Sequence, residues 1–250
     1  MYYCCGITEK GVMPHNEDAL LIGGQVIREG SLEMRIGAPF IAAVSDGVSG
    51  ENAGELASAM CLEQLKNTES LHKSGIRDSI MAIHEELVNY SRSDSGSRNM
   101  QTTLCGIAVA EDESVIAFNV GDSRLYRYRD GVVRQLSRDQ SLVQLLYEEG
   151  SITREELKTH ARRNIIFPAL GNMKDSPTVD IDILSGGFDY GDVLLICSDG
   201  LSDNLSALDI QEILDLPKPL PKRLEMLVKM ALERGSTDNI TIAAIIYDGE

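Results

Sequence analysis

Basic residues are what this sequence has too few of. Against 39 Asp and Glu stand 23 Lys and Arg, a formal net charge of −16. A nucleic-acid partner needs a basic footprint on the phosphates, so the balance excludes one. It excludes an anionic membrane surface for the same reason. A disulfide framework is also missing. The five cysteines are odd in number, Cys4 and Cys5 are neighbours, and Cys61, Cys105 and Cys197 sit in apolar runs. There Cys acts as a small hydrophobe, a usage that fits a reducing compartment. No cysteine pair has zinc-type spacing. The longest apolar runs, VLLIC and IAAIIY, fall far short of the roughly 20 residues a membrane helix needs. The start, MYYCCGITEKG, has neither the basic nor the apolar region of a signal peptide. No internal repeat, low-complexity tract or domain-length linker is visible. The expectation is a cytoplasmic, soluble, single-domain protein over residues 1–250, long enough to bury a large core.

What is present is a series of β-type runs rich in Val, Ile and Tyr: residues 39–47, 102–110, 114–123, 124–137, 191–200 and 239–248. Asp130-Gly131 inside the fourth run is a hairpin signal, so antiparallel strands are expected. Two helices are predicted between the first strands and the hairpins. Over 51–67, Leu56, Met60 and Gln64 form one line with Ala53 and Ala57 beside it. Over 75–91, Ile76, Ile80, Ile83 and Leu87 form a stripe at steps of four, three and four. Such stripes read as core faces, and His84 beside the second reads as structural. Further helices are predicted at 139–149, 153–159, 206–215 and 220–234, with a polar loop at 91–99 and a Pro-punctuated connection at 215–223. Two antiparallel sheets packed face to face with helices outside accommodate this pattern.

The chemistry-bearing feature is where the acids fall. Asp46 closes FIAAVSD and precedes Gly47. Asp122 follows VIAFNVG. Asp199 follows VLLICS and precedes Gly200. Asp238 stands just before NITIAAII. One such Asp is ordinary turn chemistry. Several at strand ends can converge on one edge of a sheet, where unpaired they repel and resist desolvation. A divalent cation removes the conflict, and oxygen ligands without Cys or His select Mg²⁺ or Mn²⁺ over zinc. Several carboxylates around a shared site suggest two metals about 3.5–4 Å apart bridging a water that attacks phosphorus. Glycines after Asp46 and Asp199 let backbone approach closely. Near the start, Asn16, Glu17 and Asp18 add two more carboxylates, either as a solvated turn or as part of the same site.

These segments together resemble the metal-dependent protein phosphatases, the type 2C or PPM family, in its bacterial form. The matching pieces are NEDAL (16–20), AAVSDGVSGENAGELAS (42–58), QTTLCGIAV (101–109), NVGDSRLYRY (119–128), LSRDQSLVQLLYEEGSIT (136–153), RRNIIFPALG (162–171), GDVLLICSDGLSDNLS (191–206) and STDNITIAAI (236–245). They run in family order over nearly the whole chain. The resemblance implies an α+β fold, a four-layer αββα β-sandwich of two antiparallel sheets flanked by helices. It implies a metal site for two Mn²⁺ or Mg²⁺ ions, with a third, weaker ion in some bacterial members. Asp46 matches the carboxylate bridging both metals and the Gly47 carbonyl a ligand of one. Asp199 and Asp238 match ligands of the other. Glu17 and Asp18 match the acidic pair on the first-metal side, acting mainly through water. Asp122 and Asp203 match the third-metal acids, and Asn239 the amide after the last ligand. Residues 137–172 match a variable flap beside the active site. The implied activity is hydrolysis of phosphoserine and phosphothreonine in proteins by metal-activated water. Asp46, Asp199 and Asp238 are then the catalytic residues, and no phospho-enzyme forms. The implied partners are phosphorylated protein substrates of a serine/threonine kinase, met by a monomer.

The chain departs from the family pattern at four places. Met13 stands where an arginine usually holds the substrate phosphate, and Lys10 is the nearest candidate cation in sequence. Val48 stands where many eukaryotic members have a histidine, and Gln101 and Gln140 replace a common glycine and histidine. His15 and His160 are not expected as ligands. Met13 motivates the alternative, a catalytically impaired phosphoprotein-binding regulatory module of the same fold. A third reading is the branch acting on anti-sigma-factor antagonists.

Overall fold

The computed structural model describes residues 1–48, 53–157, 159–163 and 165–249. Its strands are β1 (Tyr2–Glu9), β2 (Asp18–Ile22), β3 (Gln25–Ile27), β4 (Gly30–Ile36), β5 (Phe40–Asp46), β6 (Leu104–Val109), β7 (Val115–Val120), β8 (Arg124–Arg129), β9 (Val132–Gln135), β10 (Asp180–Ile183), β11 (Val193–Cys197) and β12 (Ile240–Tyr247). They form two six-stranded sheets, ordered β4-β1-β12-β11-β8-β9 and β10-β7-β6-β5-β2-β3. The ladders are antiparallel, and β1 pairs with β12 along its whole length, from Tyr2 opposite Tyr247 to Glu9 opposite Ile240. The helices are α1 (Gly54–Leu65), α2 (Lys73–Ser93), α3 (Leu142–Glu148), α4 (Arg154–Leu157), α5 (Asp199–Ser202), α6 (Ala207–Leu214) and α7 (Leu220–Glu233).

The layers follow from which side of each strand is apolar. Between the sheets lie Cys4, Leu20, Ile22, Val44, Ile107, Leu125, Leu194, Ile196 and Ile245. The alternate residues of the same strands face outward. Ala19, Leu21 and Ala43 meet α1 and α2. Cys5, Ile7, Leu195 and Ala244 meet α6 and α7. Two apolar faces per sheet explain why the central strands read as unbroken hydrophobic runs. The result is the expected α+β sandwich flanked by helices. No described helix is long and apolar enough to cross a membrane.

Each apolar run is a strand where expected, and Asp130 and Gly131 both take positive φ in the β8–β9 turn, as a two-residue hairpin requires. The α2 stripe holds: Ile76, Ile80, Ile83 and Leu87 are buried. His84 is structural, its Nδ1 accepting the Gly171 N–H at 3.2 Å. The α1 line is corrected. Its buried residues are Gly54, Ala57, Ser58, Cys61, Leu62 and Leu65, while Leu56 and Met60 sit at the rim. Small residues face the sheet because α1 packs close against β2 and β5. Residues 51 and 52 of the helix predicted over 51–67 lie outside the described residues, as does residue 158 of the helix predicted over 153–159. The expected loop over 91–99 begins three residues late, after α2 ends at Ser93 and before a 3-10 turn at Ser95–Ser97.

Candidate metal centre

Antiparallel pairing brings the acids to one end of the sandwich. β5 and β7 both run antiparallel to β6, so Asp46 and Asp122 emerge at the same edge. β2 starts where β5 ends, and Asp18 lies directly opposite Asp46 in the ladder. In the other sheet β11 ends where β12 begins, which puts Asp199 beside Asp238. Like charges directly opposed across strands destabilise a sheet unless something lies between them.

Two glycines permit this crowding. A Cβ on Gly47 would stand 2.4 Å from the Gly54 carbonyl group and 2.8 Å from the Glu17 oxygen. A Cβ on Gly200 would stand 2.0 Å from the Asn239 oxygen. No larger residue allows α1 to begin against the end of β5, or the turn after β11 to press on the start of β12.

Glu17 is placed by its backbone. Its N–H donates to Asn239 Oδ1 at 2.8 Å. Its carbonyl accepts the Gly47 N–H at 3.1 Å and the Ser58 hydroxyl at 2.5 Å. Its carboxylate lies over the first turn of α1, with Oε2 3.2 Å from where a Gly54 Cβ would sit. The Asn239 amide also donates to the carbonyls of Lys10 at 3.0 Å and His15 at 2.9 Å. One buried side chain thus fastens the whole loop that carries Met13.

Beneath the acids lies a layer of buried hydroxyls. The Thr102 hydroxyl donates to the Asp46 carbonyl at 2.8 Å, and Thr103 Oγ1 accepts the Asp46 N–H at 3.2 Å. Ser45 and Ser123 brace those two threonines at 2.7 and 2.8 Å. On the other sheet Thr8 and Thr241 share a hydrogen bond at 2.7 Å, and Ser198 Oγ accepts the Thr241 N–H at 3.0 Å. Sequence reasoning passed over this layer. Its signal was a serine before aspartate at both Ser45-Asp46 and Ser198-Asp199, and the Thr102-Thr103 doublet.

Electrostatics make the end of the sandwich an uncompensated acidic site. Asp18 is buried, and burial pushes its carboxyl up to about 6, with Asp238 adding repulsion. The hydroxyls of Thr241 and Ser198 and the neighbouring Asp46 oppose the rise. Asp46 is held well above the ordinary carboxylate range by burial and then by Asp18, Asp199, Asp238 and Asp122. Asp199 is raised likewise, by burial and then by Asp122, Asp238, Asp203 and Asp18. Burial, Asp139 and Asp203 lift Asp122 to about 7, against the pull of Arg124. Asp18, Asp46, Asp122, Asp199, Asp203 and Asp238 therefore feel one another, whereas Glu17 joins them through backbone contacts. Asp203 stands on the exposed side, at the end of α5. Among the described residues no three Asp, Glu, His or Cys side chains already form a closed metal cage. A cation fits the donor set nonetheless: Asp18 Oδ2 and Asp199 Oδ1 are buried oxygens with no hydrogen-bond partner. An all-oxygen carboxylate set suits a hard divalent ion.

The segment over 137–172 is fastened at both ends to this edge. The Gly121 N–H donates to Gln140 Oε1 at 2.9 Å and the Gln140 N–H to the Gly121 carbonyl at 2.9 Å. Asp139 pairs with Arg124 at 2.6 Å. At the far end Leu170 bridges Thr102, which itself bridges Gly47, and Asn172 donates to Gln101 at 3.0 Å. Gln101 and Gln140, the two unusual glutamines, tie the segment down. Met13 is half-buried, Lys10 and His15 are exposed, and the His160 ring accepts the Arg162 N–H at 3.1 Å.

Comparison with known proteins gives a consistent result. The protein phosphatase 2C family profile matches residues 31–234. The serine/threonine phosphatase stp of Listeria monocytogenes is 34% identical over 251 residues, covering 96% of this chain and 94% of that protein. The crystal structure of the serine/threonine phosphatase Stp1 from Staphylococcus aureus superimposes with a TM-score of 0.83 at 28% identity, over 100% of this chain and 96% of that one. The catalytic domain of the serine threonine protein phosphatase PstP, in complex with two manganese ions, superimposes with a TM-score of 0.78 at 28% identity, over 98% and 99%.

Proposed function

The chain belongs to the protein phosphatase 2C family and is a serine/threonine protein phosphatase, and from that premise we propose that the strand-end acids hold its divalent cations. Asp46 would serve both of two Mn²⁺ or Mg²⁺ ions, and the Gly47 carbonyl one of them. Asp199 and Asp238 would hold the other, Glu17 and Asp18 would support the first-metal side, mainly through water, and Asp122 and Asp203 would take a third, weaker ion. The observation carrying this reading is the direct opposition of Asp18 and Asp46, together with the orphaned oxygens of Asp18 and Asp199. Cations bound there supply a lowered pKa for water and offset charge on the phosphoryl oxygens.

The chain's own residues orient that chemistry. Thr102 and Thr103 fix the backbone of Asp46, the hydroxyls of Thr241 and Ser198 favour the charged form of Asp18, and Asn239 fixes the backbone of Glu17. The cysteines offer no competing nucleophile. All five are buried, and burial pushes the thiols of Cys4, Cys5, Cys61 and Cys197 up to about 12. Met13 supplies no guanidinium fork for the substrate phosphate, so that role falls to other groups, with the exposed Lys10 on the same loop as first candidate.

Residues 1–250 act as one catalytic domain, with 137–172 as a flap that shapes substrate access. The substrates are cytoplasmic phosphoproteins made by a serine/threonine kinase, and the enzyme works as a monomer. The test is release of phosphate from p-nitrophenyl phosphate and a phosphothreonine peptide with and without Mn²⁺. Metal-dependent release from the peptide supports the reading. Metal binding without release from either substrate overturns it in favour of a phosphoprotein-binding module.

A further inference from the structure

A second pair of like charges faces itself across a ladder, and these are positive. In the β8–β9 hairpin Arg127 lies directly opposite Arg134. Their Cβ atoms share one face of the sheet, the face turned away from Val133, Tyr126 and the helices α6 and α7. With Arg129, Asp130 and Val132 they line a cavity of about 180 Å³.

The three arginines differ in how they are neutralised. Arg129 is saturated: it pairs with the buried carboxylate of Asp192 and with Asp189 at 2.9 Å, and it donates to the Gly186 and Gly187 carbonyls. Arg127 reaches no carboxylate. Its Nη1 donates to the Ser185 carbonyl at 2.9 Å and weakly to Gly187, while its Nε and Nη2 make no hydrogen bond among the described residues. Arg134 is exposed and has no partner among them. In a chain with 39 acids and 23 basic residues, the guanidiniums of Arg127 and Arg134 make no ion pair among the described residues, although the Asp130 carboxylate shares their cavity. Directly opposed like charges are unfavourable, and an anion between them reverses the sign of the interaction. Two guanidiniums with free N–H pairs match the oxygens of a phosphate group in a bidentate manner.

We propose that the cavity between Arg127 and Arg134 is an anion site for a phosphate monoester, separate from the acidic centre. Arg127 stands three residues beyond Arg124, about 10 Å along β8 and on its other face, so the two sites occupy different sides of one strand. The group recognised is either free phosphate or a phosphorylated side chain on a protein. The inference stands whether or not the acidic end hydrolyses anything.

Amide chemical shifts of the full chain with Mg²⁺ present, titrated with inorganic phosphate and with a non-hydrolysable phosphonate analogue of a phosphoserine peptide, test it. Saturable shifts are expected over 127–134 and 185–187, with shifts near Asp46 and Asp199 reporting the acidic centre independently. Arg134→Glu is at an exposed position and should fold normally while weakening binding in this region by about tenfold or more. Arg127→Lys keeps the charge but loses the fork, and should weaken it less. Tighter binding of the peptide analogue identifies a protein segment as the ligand, and equal binding identifies free phosphate. The proposal is overturned if neither ligand gives saturable shifts in this region, or if Arg134→Glu leaves the affinity unchanged.

Discussion

Asp18 and Asp46 face each other directly across the ladder between β2 and β5, Asp18 raised in pKa by burial and Asp238, Asp46 by burial and then by Asp18, Asp199, Asp238 and Asp122. The arrangement opposes stability on its own and favours a cation, which separates the two effects of removing a charge. Asp46→Asn is expected to lower kcat by about a thousandfold or more, because the metals' contribution is several kcal/mol. The same variant is expected to raise the melting temperature of the metal-free protein, since one repulsive partner is gone. Near-normal turnover, or a metal-free protein that melts lower, contradicts the assignment.

The raised carboxyls also set a pH dependence. A carboxylate whose folded pKa lies above its unfolded value binds its proton more tightly when folded. Its contribution to stability therefore falls as pH rises from the unfolded value, about 4, through the folded one. For Asp18 and Asp122 the folded values are about 6 and about 7. Thermal melts of the metal-free protein should show stability falling over this window. Adding Mn²⁺ should raise the melting temperature by about 5 °C or more at pH 7.5 and little at pH 5, because protonated ligands bind poorly. Equal stabilisation by metal at both pH values is the contrary result.

Asn239 makes three hydrogen bonds that hold residues 10–17 against the start of β12. Asn239→Ala leaves the Glu17 N–H and the His15 carbonyl without partners, and the Lys10 carbonyl with the Met13 N–H alone. A loss of about 2–3 kcal/mol in unfolding free energy is expected, with weaker metal binding by calorimetry. Asn239→Asp keeps the acceptor for Glu17 but loses the donors and adds an acid, so it should be intermediate in stability and no better in activity. Unchanged metal affinity in Asn239→Ala shows that Glu17 is placed by other contacts.

Met13→Arg restores a fork where the family usually has one. KM for small phosphate esters should fall, by up to about tenfold for one bidentate pair, with kcat little changed. An unchanged KM shows that phosphate is held elsewhere.

The sequence made the acids legible because each follows or precedes a strand buried on both faces, and such strands read as unbroken apolar runs. Strands with weaker faces were not legible. β4 alternates Leu32, Met34 and Ile36 with exposed residues at a sheet edge, and β10 alternates Asp with Ile at another. β1 was overlooked although it is paired on both sides within its sheet, because two tyrosines, two cysteines and a glycine do not look like a core strand. The hydroxyl layer under Asp46 and Asp18 was illegible for a different reason. Single Ser and Thr residues carry no periodic signal, and their role emerges only when distant strand ends meet. The α1 face was misread because Ala, Ser and Cys pack against the sheet more closely than Leu56 and Met60 allow.

The proposal that these strand-end carboxylates share one metal centre has a crystallographic consequence. Anomalous diffraction at the manganese edge from crystals grown with Mn²⁺ tests it most directly. Two ions are expected at this end of the sandwich, both in contact with Asp46 and one with Asp199 and Asp238. Ions bound elsewhere, or bound here without Asp46 as a ligand, contradict it.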